Sequence, residues 1–125
     1  GIERMKKILV VDDSSMIRLI VSKAAKKAGY EVVEATNGQE GIDNLLRYDD
    51  ISLILCDINM PVMDGLTMVK NIKEYDSLKY IPVVMLTTET DQTLKAKGRD
   101  LGVKAWMVKP FNEKTFLKAM LKLIG

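Results

Sequence analysis

The chain reads as an open, doubly wound α/β fold with a parallel sheet, and two observations carry that reading. Strand-like runs fall near residues 6–11, 31–35, 52–56, 82–86 and 104–108, and stretches of helical periodicity fill the gaps between them. Short apolar runs separated by helical patterns are buried strands of a parallel sheet, because crossover helices cover both faces. Five such βα units fit within 125 residues, the size of one domain with a real core.

The first strand carries Ile8-Leu9-Val10-Val11 and stops at Asp12-Asp13. The helix after it places Ile17, Ile20, Val21, Ala24 and Ala28 on one stripe, ends at Gly29, and has Ser14 or Ser15 as its cap. The second helix opens at Asn37 with Glu40 three residues on, a capping pair, and presents Ile42, Leu45 and Leu46. The third strand, Leu53-Ile54-Leu55-Cys56, ends at Asp57. Asp64-Gly65 then introduces a helix with Leu66, Val69 and Ile72. The fourth strand, Val83-Val84-Met85-Leu86, is followed by Thr87, and the fifth, Ala105-Trp106-Met107-Val108, by Lys109. Beyond Pro110 the last helix aligns Phe116, Ala119, Met120, Leu123 and Ile124.

The fourth helix, residues 91–101, is the weakest. Leu94, Ala96 and Leu101 are its only apolar anchors, and Gly98 costs it about 1 kcal/mol relative to alanine. A short surface helix accounts for this. So does a mobile element, since those with few buried contacts move most easily.

Composition narrows the function. With 47% hydrophobic and 29% charged residues the chain is an ordinary globular protein. It has no apolar stretch long enough to span a bilayer and no signal-like start, so no membrane association is expected. One cysteine permits no internal disulfide and fits a reducing cytoplasm. A net charge of +2 gives no case for nucleic acid. Histidine is absent, which excludes a phospho-histidine carrier and imidazole base chemistry. Residues 1–4 precede Met5, a natural initiator, and are expected to be an expression remnant or a disordered start, with the domain spanning 5–124.

Ligands of parallel sheets bind beyond the carboxyl ends of the strands. Asp12, Asp13, Asp57, Thr87 and Lys109 all stand there, so they are expected to converge. Two carboxylates about 4 Å apart repel by about 4 kcal/mol at an effective dielectric near 20. Either one takes up a proton or a cation sits among them. Hard oxygen ligands favour Mg²⁺, and no soft or imidazole set exists for zinc. Lys109 and the Thr87 hydroxyl suit phosphate oxygens. An aspartate so placed can attack phosphorus and form an aspartyl phosphate. Asp57, alone on the central strand, is the candidate nucleophile, and Asp12-Asp13 read as the metal-holding pair.

These residues resemble the receiver domain of bacterial two-component response regulators, most closely the single-domain chemotaxis type. The stretches that carry the resemblance are Ile8-Leu9-Val10-Val11-Asp12-Asp13, Leu55-Cys56-Asp57-Ile58-Asn59-Met60-Pro61, Met63-Asp64-Gly65, Leu86-Thr87 and Val108-Lys109-Pro110-Phe111. The resemblance implies a flavodoxin-like sheet of order 2-1-3-4-5 and a cis peptide before Pro110. It implies Mg²⁺ at Asp12, Asp13, Asp57 and the Asn59 carbonyl, and phosphorylation of Asp57 by a sensor histidine kinase. Such a protein is a switch that promotes its own phosphotransfer and dephosphorylation, not a turnover enzyme. A monomer is expected, with a protein target such as a flagellar motor switch component and a possible phosphatase. Thr87 and Trp106 take the switch positions, where the family usually has tyrosine or phenylalanine in place of tryptophan. Asn59 and Glu89 take the positions that tune dephosphorylation. Thr88 is bulkier than the small residue often found there and could narrow access. Cys56 is expected to point away from Asp57 and to be inert, and the eight methionines to be core filler.

A stand-alone switch is favoured by the Asn59–Glu89 pair and the lack of a linker. The alternative is a receiver belonging to a larger DNA-binding regulator, or a phosphorelay intermediate. A haloacid-dehalogenase-type phosphatase would need a second acid at Asn59. A flavodoxin-like FMN carrier would need an uncharged loop where Asp12-Asp13 stand. Residues 91–125 carry a balance of +5 against −3 for the remainder, which points to an output face on the fourth helix, fifth strand and last helix, facing an acidic partner segment.

Overall fold

A computed structural model describes residues 5–125, and the expectation about residues 1–4 lies outside them. Its elements alternate as the sequence implies: β1 (Lys7–Val11), α1 (Ser15–Lys27), β2 (Glu31–Ala35), α2 (Gly38–Arg47), β3 (Ile51–Cys56), α3 (Gly65–Ile72), β4 (Val83–Thr87), α4 (Gln92–Asp100), β5 (Ala105–Val108) and α5 (Glu113–Ile124). The strands form one parallel sheet in the order β2-β1-β3-β4-β5. The three inner strands are buried almost throughout, whereas β2 and β5 are more exposed edges.

Successive strand residues point to opposite faces, and this divides the core in two. Leu9, Val11, Ile54, Cys56, Val83 and Met85 pack against α2 and α3. Ile8, Val10, Leu53, Leu55, Val84 and Leu86 pack against α1 and α5, where Phe116 and Met120 are fully buried.

The caps follow local chemistry. Ser14 Oγ accepts from Ile17 N, Asn37 from Glu40 N, Asp64 from Thr67 N and Asn112 from Thr115 N, each satisfying an amide that a helix start leaves open. Ser14, not Ser15, is therefore the cap of α1.

Three expected helix faces are rotated. On α2, Ile42 and Leu45 are buried but Leu46 is exposed. Gly38 and Gly41 complete the inner face, so Leu46 lies about 90° from its centre at 100° per residue. On α1 the stripe runs through Val21, Ser22, Ala24 and Ala25, leaving Ile20 and Ala28 outside. On α4 only Gly98 is buried, flanked by half-buried Leu94 and Leu101, and Ala96 faces solvent. The weak anchoring of α4 is thus present, but its seat is the glycine.

No helix among the described residues is long and apolar enough to cross a membrane.

Candidate phosphorylation site

Main-chain hydrogen bonds continue the ladder one residue past the strands. Asp12 N donates to Ala35 O at 3.0 Å, Asp57 N to Val11 O at 3.0 Å and Lys109 N to Thr87 O at 2.9 Å. Those bonds hold Asp12, Asp57 and Lys109 level at the carboxyl edge of the sheet. Thr87 is the last residue of β4, one place earlier than expected, and is completely buried.

Asp12 and Asp57 are buried, and the side chain of Lys109 lies between them. Lys109 Nζ is 2.8 Å from Asp57 Oδ2 and 3.0 Å from Asp12 Oδ2. The second oxygen of each acid is held by main chain: Asp57 Oδ1 accepts from Ile58 N at 2.7 Å, and Asp12 Oδ1 from Ser14 N at 2.9 Å. Burial pushes the Asp12 carboxyl above its ordinary range, against the pull of the Ser14 amide and of Lys109. Burial also works against the charge on Lys109, but its hydrogen bonds to Asp57 and Asp12 prevail and raise its pKa. The ammonium is therefore a firmly protonated counter-charge within the acidic cluster.

Asp13 is exposed, and one oxygen from each of Asp12, Asp13 and Asp57 lies within 4.8 Å of the others. Three hard oxygen donors at this separation fit a divalent cation of the Mg²⁺ kind, which keeps several of its own waters. Asn59 is exposed two residues past Asp57.

The sequence assigns Arg18 no role and Gly65 only that of a helix start and a family match, yet both support the site. The Arg18 guanidinium donates to the Asp12 carbonyl at 2.8 Å and pairs with Glu34 at 3.0 Å, fixing the main chain behind the acidic pair. Gly65 N donates to Ile58 O at 2.9 Å, and a Cβ at Gly65 would overlap the carbonyl oxygen of Asp57. The Asp64-Gly65 dipeptide signals a helix start, but the close approach to Asp57 exists only in three dimensions.

Thr87 Oγ1 accepts from Glu89 N at 3.2 Å, and the Glu89 carboxylate accepts from Asp91 N at 3.1 Å, bracing the start of α4. Thr88 is exposed. Half-buried Trp106 donates through Nε1 to Glu89 O at 2.9 Å, and its ring would be 3.0 Å from a Cβ at Gly98. Cys56 is buried on the α2/α3 side, its thiol pushed well up by burial and bonded to Asp57 O, so it is inert packing. The Lys109-Pro110 peptide is cis, as expected.

Comparison with known proteins agrees with this geometry. The response regulator receiver domain model matches residues 8–121. The chain is 38% identical over 120 residues to chemotaxis protein CheY1 of Helicobacter pylori, covering 95% of this chain and 97% of that protein. It is 36% identical to sensor histidine kinase CheAY of the same organism, of whose length it spans 15%. The solved structure of chemotaxis protein CheY4 of Vibrio cholerae superposes with a TM-score of 0.90 at 40% identity, covering 97% of this chain and all of that one. Family match, sheet order and the acidic cluster around Asp57 agree: the chain belongs to the response regulator receiver domains, and its relatives include single-domain CheY chemotaxis proteins.

Proposed function

We propose that the chain is a phosphorylation switch that accepts a phosphoryl group on Asp57 from a histidine kinase and then binds a protein target in chemotaxis. The observation that carries this is the state of Asp57: buried at the end of the central strand, one oxygen on Lys109 and the other on a main-chain amide. An Asp57 oxygen attacks phosphorus of a phospho-imidazole. The O–P bond forms as the N–P bond breaks, and the departing imidazole nitrogen takes up a proton. Asp12, Asp13, Asp57 and the Asn59 carbonyl would hold Mg²⁺, which when bound supplies charge neutralisation for the transferring group. Lys109 orients the phosphoryl oxygens and offsets their charge, and Thr87, turned from the Glu89 amide, donates its hydroxyl to one of them.

The readout runs through the loop after β4. Moving Thr87 shifts residues 88–91, to which Trp106 is hydrogen-bonded, so the indole and the thinly packed α4 change together. Asn59 and Glu89 border the path by which water reaches the acyl phosphate, and an acidic partner segment suits the basic face beyond Trp106. The domain turns over no external substrate other than its own phosphoryl group and works in the cytoplasm. A receiver placed within a larger protein is the other reading, and the match to part of CheAY favours it.

Transfer of ³²P from an autophosphorylated chemotaxis histidine kinase tests the proposal. Label should leave the kinase for wild-type chain and stay on the kinase with Asp57→Asn. Equal transfer to both would overturn it.

A further inference from the structure

At the opposite end of the sheet, where the strands begin, Lys73, Lys79, Tyr80, Ile81, Gly102 and Lys104 line a hollow of about 340 Å³. Three of the six lining residues are cationic, and no carboxylate lines it among the described residues. Lys73 caps the end of α3, and its amine is fixed by donating to Lys79 O at 2.9 Å. Lys104 begins the path into β5, anchored by its amide to Val83 O at 2.8 Å. Burial, and then the charge of Lys104, hold the Lys73 amine below its ordinary pKa.

Gly102 joins α4 to β5 at φ +90°, where a side chain would be strained. A Cβ there would also stand 3.4 Å from Lys73 Nζ, so the glycine leaves that amine open to approach. Lys79 has a partner in Asp76 at 3.1 Å, but the Asp76 side chain is 98% exposed and such pairs contribute little. The negative end of the α3 dipole accounts for a cation at Lys73. It does not account for Lys104, which brings a like charge towards that amine. Like charges gathered with only an exposed carboxylate to offset one of them raise the free energy, and a bound anion would lower that cost.

We propose that this hollow is an anion site, separate from the phosphorylation site, that takes a compact phosphorylated ligand carrying at least two negative charges. The ligand oxygens bridge the Lys73 and Lys104 amines as charge-assisted hydrogen bonds.

Pyrophosphate titrated without Mg²⁺ at low ionic strength, followed by amide ¹H–¹⁵N shifts, tests this. Saturable shifts are expected at residues 73, 79–81 and 102–104, weakening as salt is added. The Lys73→Gln/Lys104→Gln variant should bind at least about tenfold more weakly, a change of about 1.4 kcal/mol, with Asp57 labelling unchanged. Lys104 is exposed, so Lys104→Gln alone should also weaken binding, and that variant decides the matter if loss of Lys73 impairs folding. The proposal is overturned if no saturation appears by about 10 mM, if the shifts centre on Lys109 or on Lys95 and Arg99, or if Lys104→Gln binds as wild type does.

Discussion

The indole of Trp106 donates to the main-chain carbonyl of Glu89 at 2.9 Å, tying β5 to the loop that follows Thr87. The same ring lies against Gly98 in α4. One side chain thus joins the loop after β4, the C-terminal half of α4 and the edge strand.

Trp106→Phe keeps an aromatic ring but removes the donor, and is expected to destabilise by about 1 kcal/mol. Amide exchange in residues 88–92 should quicken. Gly98→Ala should gain less than the roughly 1 kcal/mol that alanine adds to an open helix, because the ring occupies the space. In the Trp106→Phe background that gain should be recovered, and denaturant unfolding of the four proteins measures the coupling. Equal gains in both backgrounds would mean the contact has no energetic weight.

Gly65→Ala drives a Cβ into the carbonyl of Asp57, and backbone cannot swing aside as a side chain can. A loss of about 2–3 kcal/mol is expected. In the fraction still folded, phosphoryl acceptance should slow, because the peptide of Asp57 is the part displaced. Labelling rate per folded molecule checks this, and a wild-type rate would separate Gly65 from the site.

Val62 adopts φ +68° and is largely exposed, an unfavourable backbone for a β-branched residue with little burial to offset it. Val62→Asn should stabilise by about 1 kcal/mol, since asparagine tolerates this conformation. A fall in melting temperature would show that the valine makes contacts that outweigh its strain.

The Lys109 ammonium stands where it would compete with a divalent cation for Asp12 and Asp57. Lys109→Met is therefore expected to melt lower without Mg²⁺ yet to bind Mg²⁺ more tightly than wild type, while accepting phosphoryl more slowly. At a hundredfold excess over the dissociation constant, bound Mg²⁺ stabilises by about 2.7 kcal/mol, so calorimetry and melting shifts report the same quantity. Weaker Mg²⁺ binding by the variant would contradict the competition.

The sheet and the cluster were legible because both depend on short patterns. A buried parallel strand must be apolar along its length, so Ile8–Val11 and Val83–Leu86 declare themselves, and polar residues at their ends stand out. Helix faces were less legible where glycine forms the contact. Gly38 and Gly41 admit Met63 and Met68, and Gly98 admits Trp106, yet glycine is silent in a hydrophobic pattern. The apolar pattern accordingly turns Leu46 and Ala96 inward, whereas both are exposed. Ser22 is the converse, a buried hydroxyl with no hydrogen-bond partner among the described residues, on a face where the pattern expects carbon. Arg18 reaches Asp12 from a helix whose surface cations all look alike in sequence.

The central claim is that Asp57 alone accepts the phosphoryl group. Intact-mass measurement after incubation with acetyl phosphate and Mg²⁺ tests it most directly, run beside Asp57→Asn and a sample with EDTA. The account predicts one added phosphoryl group on the wild-type chain and none in either control. A wild-type rate of labelling in Asp57→Asn would contradict it.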